Sequence, residues 1–115
     1  MKEIEFKVPR DCDLVRADAL IEKVCAGRGL ELAMKGSLAK YPGCIHWHFQ
    51  RPNQKGTLEL TLHRAERRIW VKVQEGRKAP WIVEELPALR RAIERGLKSL
   101  PKTARPLSSG AEEFV

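Results

Sequence analysis

Three runs of alternating apolar and polar residues lie close together in the middle of this chain: Cys44–Phe49, Thr57–His63 and Arg68–Gln74. Alternation sends successive side chains to opposite faces, so each run reads as a half-buried strand. The links between them are Arg51 to Gly56 and the short Ala65-Glu66. Links that short make the strands antiparallel neighbours. Their register can be tested against the sequence itself. Opposing Phe49 to Leu58 sets Trp47 against Leu60 and Ile45 against Leu62. Opposing Arg64 to Arg67 sets Leu62 against Ile69, Leu60 against Val71 and Leu58 against Val73. Both registers keep every aliphatic residue on one side, and a slip of one residue would invert the whole set. The other side then receives Cys44, His46, His48, Glu59, Thr61, His63, Arg68, Trp70 and Lys72. On it His48 faces Glu59, His46 faces Thr61, Cys44 faces His63 and Glu59 faces Lys72.

An aliphatic sheet face must be covered. Two helical patterns are available for that. The first runs from Leu14 to Ala26, with Leu14, Ala17, Leu20, Ile21, Val24 and Cys25 in one stripe. Asp11 or Asp13 precedes it as a cap, and Gly27 and Gly29 stop it. The second runs from about Val83 to Ser99, with Leu86, Leu89, Ile93, Leu97 and Leu100 as its stripe. Its Pro87 falls in the first turn and Pro101 ends it. Two more alternating runs complete the chain. Glu3–Val8 puts Ile4, Phe6 and Val8 on one face. Leu30–Lys35 turns Leu30, Leu32 and Met34 inward and Lys35 outward, and the Tyr41-Pro42-Gly43 turn follows it. Trp47 belongs to the core, and Trp81 staples the start of the second helix to the sheet.

The element order is therefore β-α-β-β-β-β-α. The fold class is α+β, a two-layer sandwich with a mostly antiparallel sheet of four to five strands and both helices on one face. The first strand lies either parallel beside the second or antiparallel beside the fifth, and the pattern allows both. A chain of 115 residues suits one domain and excludes a separate cofactor domain. We assign residues 1–101 to that domain and 102–115, small and polar without period, to a loose tail.

Charge narrows the function. The chain has 22 bases and 15 acids, a net charge of +7. Residues 35–78 alone hold ten bases (Lys35, Lys40, Arg51, Lys55, Arg64, Arg67, Arg68, Lys72, Arg77, Lys78) against Glu59, Glu66 and Glu75. The excess thus falls entirely on the meander and its loops, where it would attract a polyanion. No apolar run has the length of a membrane span and no signal-like stretch opens the chain, so no membrane partner is expected and the expected location is cytoplasmic. Cys12, Cys25 and Cys44 are odd in number and form no CxxC pair, which fits reduced thiols, with Cys25 in the core.

Three readings follow. In the first, the open sheet face binds single-stranded nucleic acid or another polyanion. Trp70 would stack on bases, Lys35, Arg68 and Lys72 would hold phosphates, and Arg64 and Arg67 would stand at the rim. This is the expectation the sequence favours, with no cofactor required. In the second, the open face joins another copy or another protein, and a homo-oligomer is expected. In the third, Cys44, His46, His48, Glu59 and His63 form a metal or acid–base cluster, whose donors suit zinc or copper. His46 and His48 alternate on one strand at ~6.6–7 Å, so they converge only if the strand bends or their rotamers lean together. The chain carries no nucleophile elbow and no glycine-rich phosphate loop, and an enzyme is not the leading expectation.

Overall fold

A computed structural model of the protein describes residues 2–73 and 79–102. The sequence-predicted tail falls, except for Lys102, outside the described residues. Five strands form one fully antiparallel sheet: β1 (Lys2–Glu5), β2 (Glu31–Leu38), β3 (Tyr41–Gln50), β4 (Leu58–His63) and β5 (Arg68–Val73). Their spatial order is β1-β5-β4-β3-β2. Two helices, α1 (Ala17–Gly27) and α2 (Pro80–Ser99), cover one face. The fold is the expected α+β sandwich with the expected element order.

The meander has the register that its alternation requires. Ile45 pairs with Leu62, Trp47 with Leu60 and Phe49 with Leu58. Leu60 pairs with Val71 and Leu62 with Ile69. These residues other than the partly buried Ile45, with Ile21 and Cys25 of α1 and Leu89, Ile93 and Leu97 of α2, belong to the buried core. Each buried large aliphatic stabilises the fold by about 1.5–3 kcal/mol, so this one face supplies most of the folding energy. The first strand, left open by sequence, lies antiparallel beside β5, with Ile4 opposite Val71.

Local chemistry explains the element ends. Asp13 caps the turn leading to α1, its Oδ1 accepting from the Val15 amide at 2.9 Å. Beyond α1, Gly29 takes a φ of +81°, a conformation glycine adopts without strain. The hairpin after β4 closes through a 3₁₀ turn, Arg64–Glu66, with Arg67 left-handed. Lys102 makes a bridge with Cys12, so the ordered pairing extends one residue past the expected domain end.

Three expectations need correction. Helix α2 starts at Pro80, one turn before Val83, because Pro80 fills its first position without needing an N–H. Pro87 consequently lies inside the helix. Next, Tyr41-Pro42-Gly43 opens β3 and the turn falls before it. Finally, β2 alternates in sequence but carries a bulge between Leu32 and Met34, and a second between Gly36 and Leu38. The extra residue inverts the faces. Met34 lies opposite His48 and Lys35 opposite Trp47, so Lys35 is on the helix side and Met34 on the other. Leu32 and Met34, expected inside, are 47% and 40% exposed.

Candidate metal centre

On the sheet face away from the helices, two rows of side chains cross the strands. One runs Met34, His48, Glu59, Lys72, Glu3. The next runs Gly36, His46, Thr61, Trp70, Glu5. His48 and Glu59 are direct ladder partners, and His46 is two residues along β3 on the same face. Gly36, opposite His46, puts no side chain beside that ring.

The two imidazoles lean together. Their rings are nearly perpendicular at 78°, and their Nε2 atoms lie 3.1 Å apart. Glu59 reaches both, with Oε1 at 3.5 Å from His46 Nε2 and 3.9 Å from His48 Nε2. Three donor atoms thus form a triangle with sides of 3.1, 3.5 and 3.9 Å. A point equidistant from all three lies about 2 Å from each, the Zn–N and Zn–O bond length. His46, His48 and Glu59 are the cluster among the described residues with donors close enough to share an ion.

The surroundings suit ligation. His46 is buried, and its Nδ1 lies 2.8 Å from Thr61 Oγ1. With Nδ1–H donating to Thr61, Nε2 is left as the lone-pair donor, the arrangement that orients metal-bound histidines. Burial first, then the neighbouring His48, holds the His46 imidazole below its ordinary pKa despite the opposing Glu59. It is therefore neutral at neutral pH, as a metal ligand must be. Without an ion, one imidazole can donate Nε2–H to the other, which accounts for the short N–N contact.

The structure does not bring the other two members of the sequence cluster to this point. The β3–β4 ladder ends at the Ile45–Leu62 pair, so Cys44 and His63 are not ladder partners. The Cys44 thiol is buried and accepts from the Leu38 amide at 3.3 Å. His63 packs edge-on against Tyr41, with Nδ1 3.5 Å from Glu66 Oε1 but not aligned for a hydrogen bond.

Nor are the six residues of the polyanion reading gathered on one surface. Lys35 pairs with Glu22 of α1 at 2.6 Å on the helix side. Arg64 donates to the carbonyls of Leu14 and Val15 and pairs with Asp18. Arg67 donates to the carbonyls of Pro9 and Cys12. Arg68 is held by Glu5 and lies 4.3 Å from the centre of the Trp70 ring. Trp70 is on the face that alternation requires, yet it is 1% exposed, with Tyr41 edge-on against it. Of the six, Lys72 lines a cleft in company with His48 and Glu59.

Two features carry no signal in the sequence. Thr61 reads as an ordinary outward strand residue, yet it is the partner of His46. Glu85 is buried within α2 and is held by Arg28 and Arg51. Burial raises its carboxyl pKa, but the two guanidinium groups outweigh that and hold it below its ordinary value. Among the described residues, no helix is long and apolar enough to cross a membrane. Comparison with known protein families, curated proteins and solved structures finds no match to this chain.

Proposed function

We propose that this protein binds one divalent transition-metal ion through His46 Nε2, His48 Nε2 and Glu59 Oε1, and works through that ion. The observation that carries the reading is the donor triangle, whose size fits a 2 Å bond from every corner. Two imidazoles and one carboxylate are the donor set of catalytic zinc, which keeps a fourth position for water or substrate. The edges are nearer the ~3.4 Å that tetrahedral zinc asks than the ~3 Å of octahedral geometry, and a tetrahedral ion would sit out of the donor plane with bonds of about 2.1–2.2 Å. His48 and Glu59 line a cleft, so a free coordination position has somewhere to point. An ion there would act as a Lewis acid toward a bound water or carbonyl.

The test is a competition titration of metal-free protein with zinc against a chromogenic chelator. One equivalent should bind. Glu59→Gln and His48→Ala should each weaken it by ~10-fold or more, since each removes a ligand. His63→Ala should leave it unchanged. Stoichiometric binding that survives Glu59→Gln and His48→Ala, or no binding at all, would sink the reading.

A further inference from the structure

The walls around the triad indicate what an ion there would hold. His48 and Glu59 form part of a cleft of about 480 Å³, while His46, in the next row of the same face, is buried and does not line it. The ion's free side therefore opens to the cleft. The rest of the wall divides by character. Lys55, Thr57 and Lys72 supply one part, and Val73, Ala79 and Ile82 supply an apolar part.

Lys72 stands between two carboxylates in its row, Glu59 on β4 and Glu3 on β1. Neither pairs with it. Glu59 is turned toward the histidines and Glu3 toward Arg68. No carboxylate of the described residues lies within ion-pair distance of the Lys72 or Lys55 ammonium. An ion on two neutral imidazoles and one carboxylate keeps a net charge of about +1. The Lys72 ammonium, next to Glu59 in the ladder and without a carboxylate partner, adds positive charge at that end of the cleft. A volume of this size is at the small end of ligand sites.

We infer that the cleft takes a small organic carboxylate with an apolar tail. Its headgroup spans the ion and Lys72, and its tail lies along Val73, Ala79 and Ile82. This inference rests on the metal reading and names the ligand class of that same site. A bare inorganic anion would leave the apolar wall unused, and a neutral apolar molecule would leave the charge unanswered.

The test uses the full chain loaded with cobalt(II), whose visible absorption reports a change of ligands, titrated with hexanoate, acetate and 1-hexanol. Hexanoate should shift the spectrum and saturate. Acetate should bind about 10-fold more weakly, since burying its missing methylenes drives association. Hexanol should leave the spectrum unmoved. Lys72→Gln should weaken hexanoate by about 10-fold, while cobalt affinity stays within about 3-fold. Failure to bind cobalt overturns the metal reading itself. Cobalt binding with a spectrum indifferent to hexanoate overturns this inference and leaves the metal reading standing. Equal affinity for acetate and hexanoate, or an unaffected Lys72→Gln variant, also overturns it.

Discussion

Thr61 tests whether the triad is built for an ion or only packed. It is 2% exposed and its hydroxyl lies 2.8 Å from His46 Nδ1. Thr61→Val keeps the β-branched shape that strand β4 accommodates and removes the oxygen. With metal on Nε2, His46 must carry its proton on Nδ1, and that buried N–H would then lack an acceptor. An unsatisfied buried donor costs about 1–3 kcal/mol. Without metal the ring can move its proton to Nε2, facing His48, so the metal-free protein escapes part of the penalty. The difference between the states is what affinity reads. The new methyl adds to it, because carbon prefers ~3.5 Å or more from its neighbour and so pushes the ring away. Loss of an oriented partner of this kind typically weakens metal binding 10- to 100-fold, and the partial escape places Thr61→Val near about 10-fold, or ~1.4 kcal/mol.

The assay is the zinc competition titration, with urea unfolding of the metal-free proteins in parallel. Both should change: zinc affinity by about 10-fold, metal-free stability by about 1 kcal/mol. Thr61→Ser, which restores the oxygen, should recover affinity while still lacking the methyl. If Thr61→Val loses stability but binds zinc within twofold of the parent, Thr61 is packing only and the orientation argument is refuted.

Two further outcomes follow from the geometry. Gly56 has a φ of +104°, and a Cβ built there would lie 2.4 Å from the Ala79 Cβ at the start of α2. Gly56→Ala should therefore cost about 2–4 kcal/mol through strain and displacement of the helix start. Gly27→Ala, with open space around it, should be neutral or stabilising by up to ~1 kcal/mol, and urea midpoints compare the two directly. Glu22 supplies the pH test. The hydrogen bond from Lys35, then that from Trp47 Nε1, holds its carboxyl below the ordinary value. A lowered acid stabilises the fold above the unfolded carboxylate range, ~4.3, and that stability disappears as pH falls through the lowered value. The gap in stability between the parent and Glu22→Gln should be full near pH 7 and shrink below about pH 4. A gap independent of pH would contradict the assignment.

The meander was legible because its two registers had to agree, and an inner strand paired on both sides cannot slip without burying polar residues. Strand β2 was not, although its alternation Leu30, Leu32, Met34 is cleaner than that of β3. An edge strand has one ladder to satisfy, so a bulge there costs little, and no residue near Ala33 announces it. That single bulge removed Lys35 from the candidate surface. Trp70 illustrates a different limit. Its face follows from period two, but the residues packed on its ring do not: Arg68 lies over it, and Tyr41, which reads as part of a turn, begins a strand and meets it edge-on. For the triad, alternation put His46, His48 and Glu59 on one face. Their convergence came from side-chain rotamers, which leave no mark in a sequence.

The charge pattern has the same lesson and a consequence for function. Residues 35–78 carry the chain's whole excess of positive charge, but among the described residues several of its bases are paired off. Lys35 pairs with Glu22 of α1, Arg51 with Glu85 of α2 and Arg68 with Glu5 of β1. Arg64 and Arg67 are spent on backbone carbonyls between Pro9 and Val15. Five acids from outside the meander, Glu3, Glu5, Asp18, Glu22 and Glu85, are partners of its bases, so charge separated along the chain is paired between elements. Partly exposed pairs of this kind contribute little stability each, about 0–1 kcal/mol, and their effect is to seat the helices and β1 on the sheet. The cations left over then matter by position. Lys40 lies over the Tyr41 ring, while Lys55 and Lys72 both line the cleft that holds His48 and Glu59. Of the described bases in residues 35–78, two that have no carboxylate partner, Lys55 and Lys72, thus share a cleft with two residues of the candidate ion site.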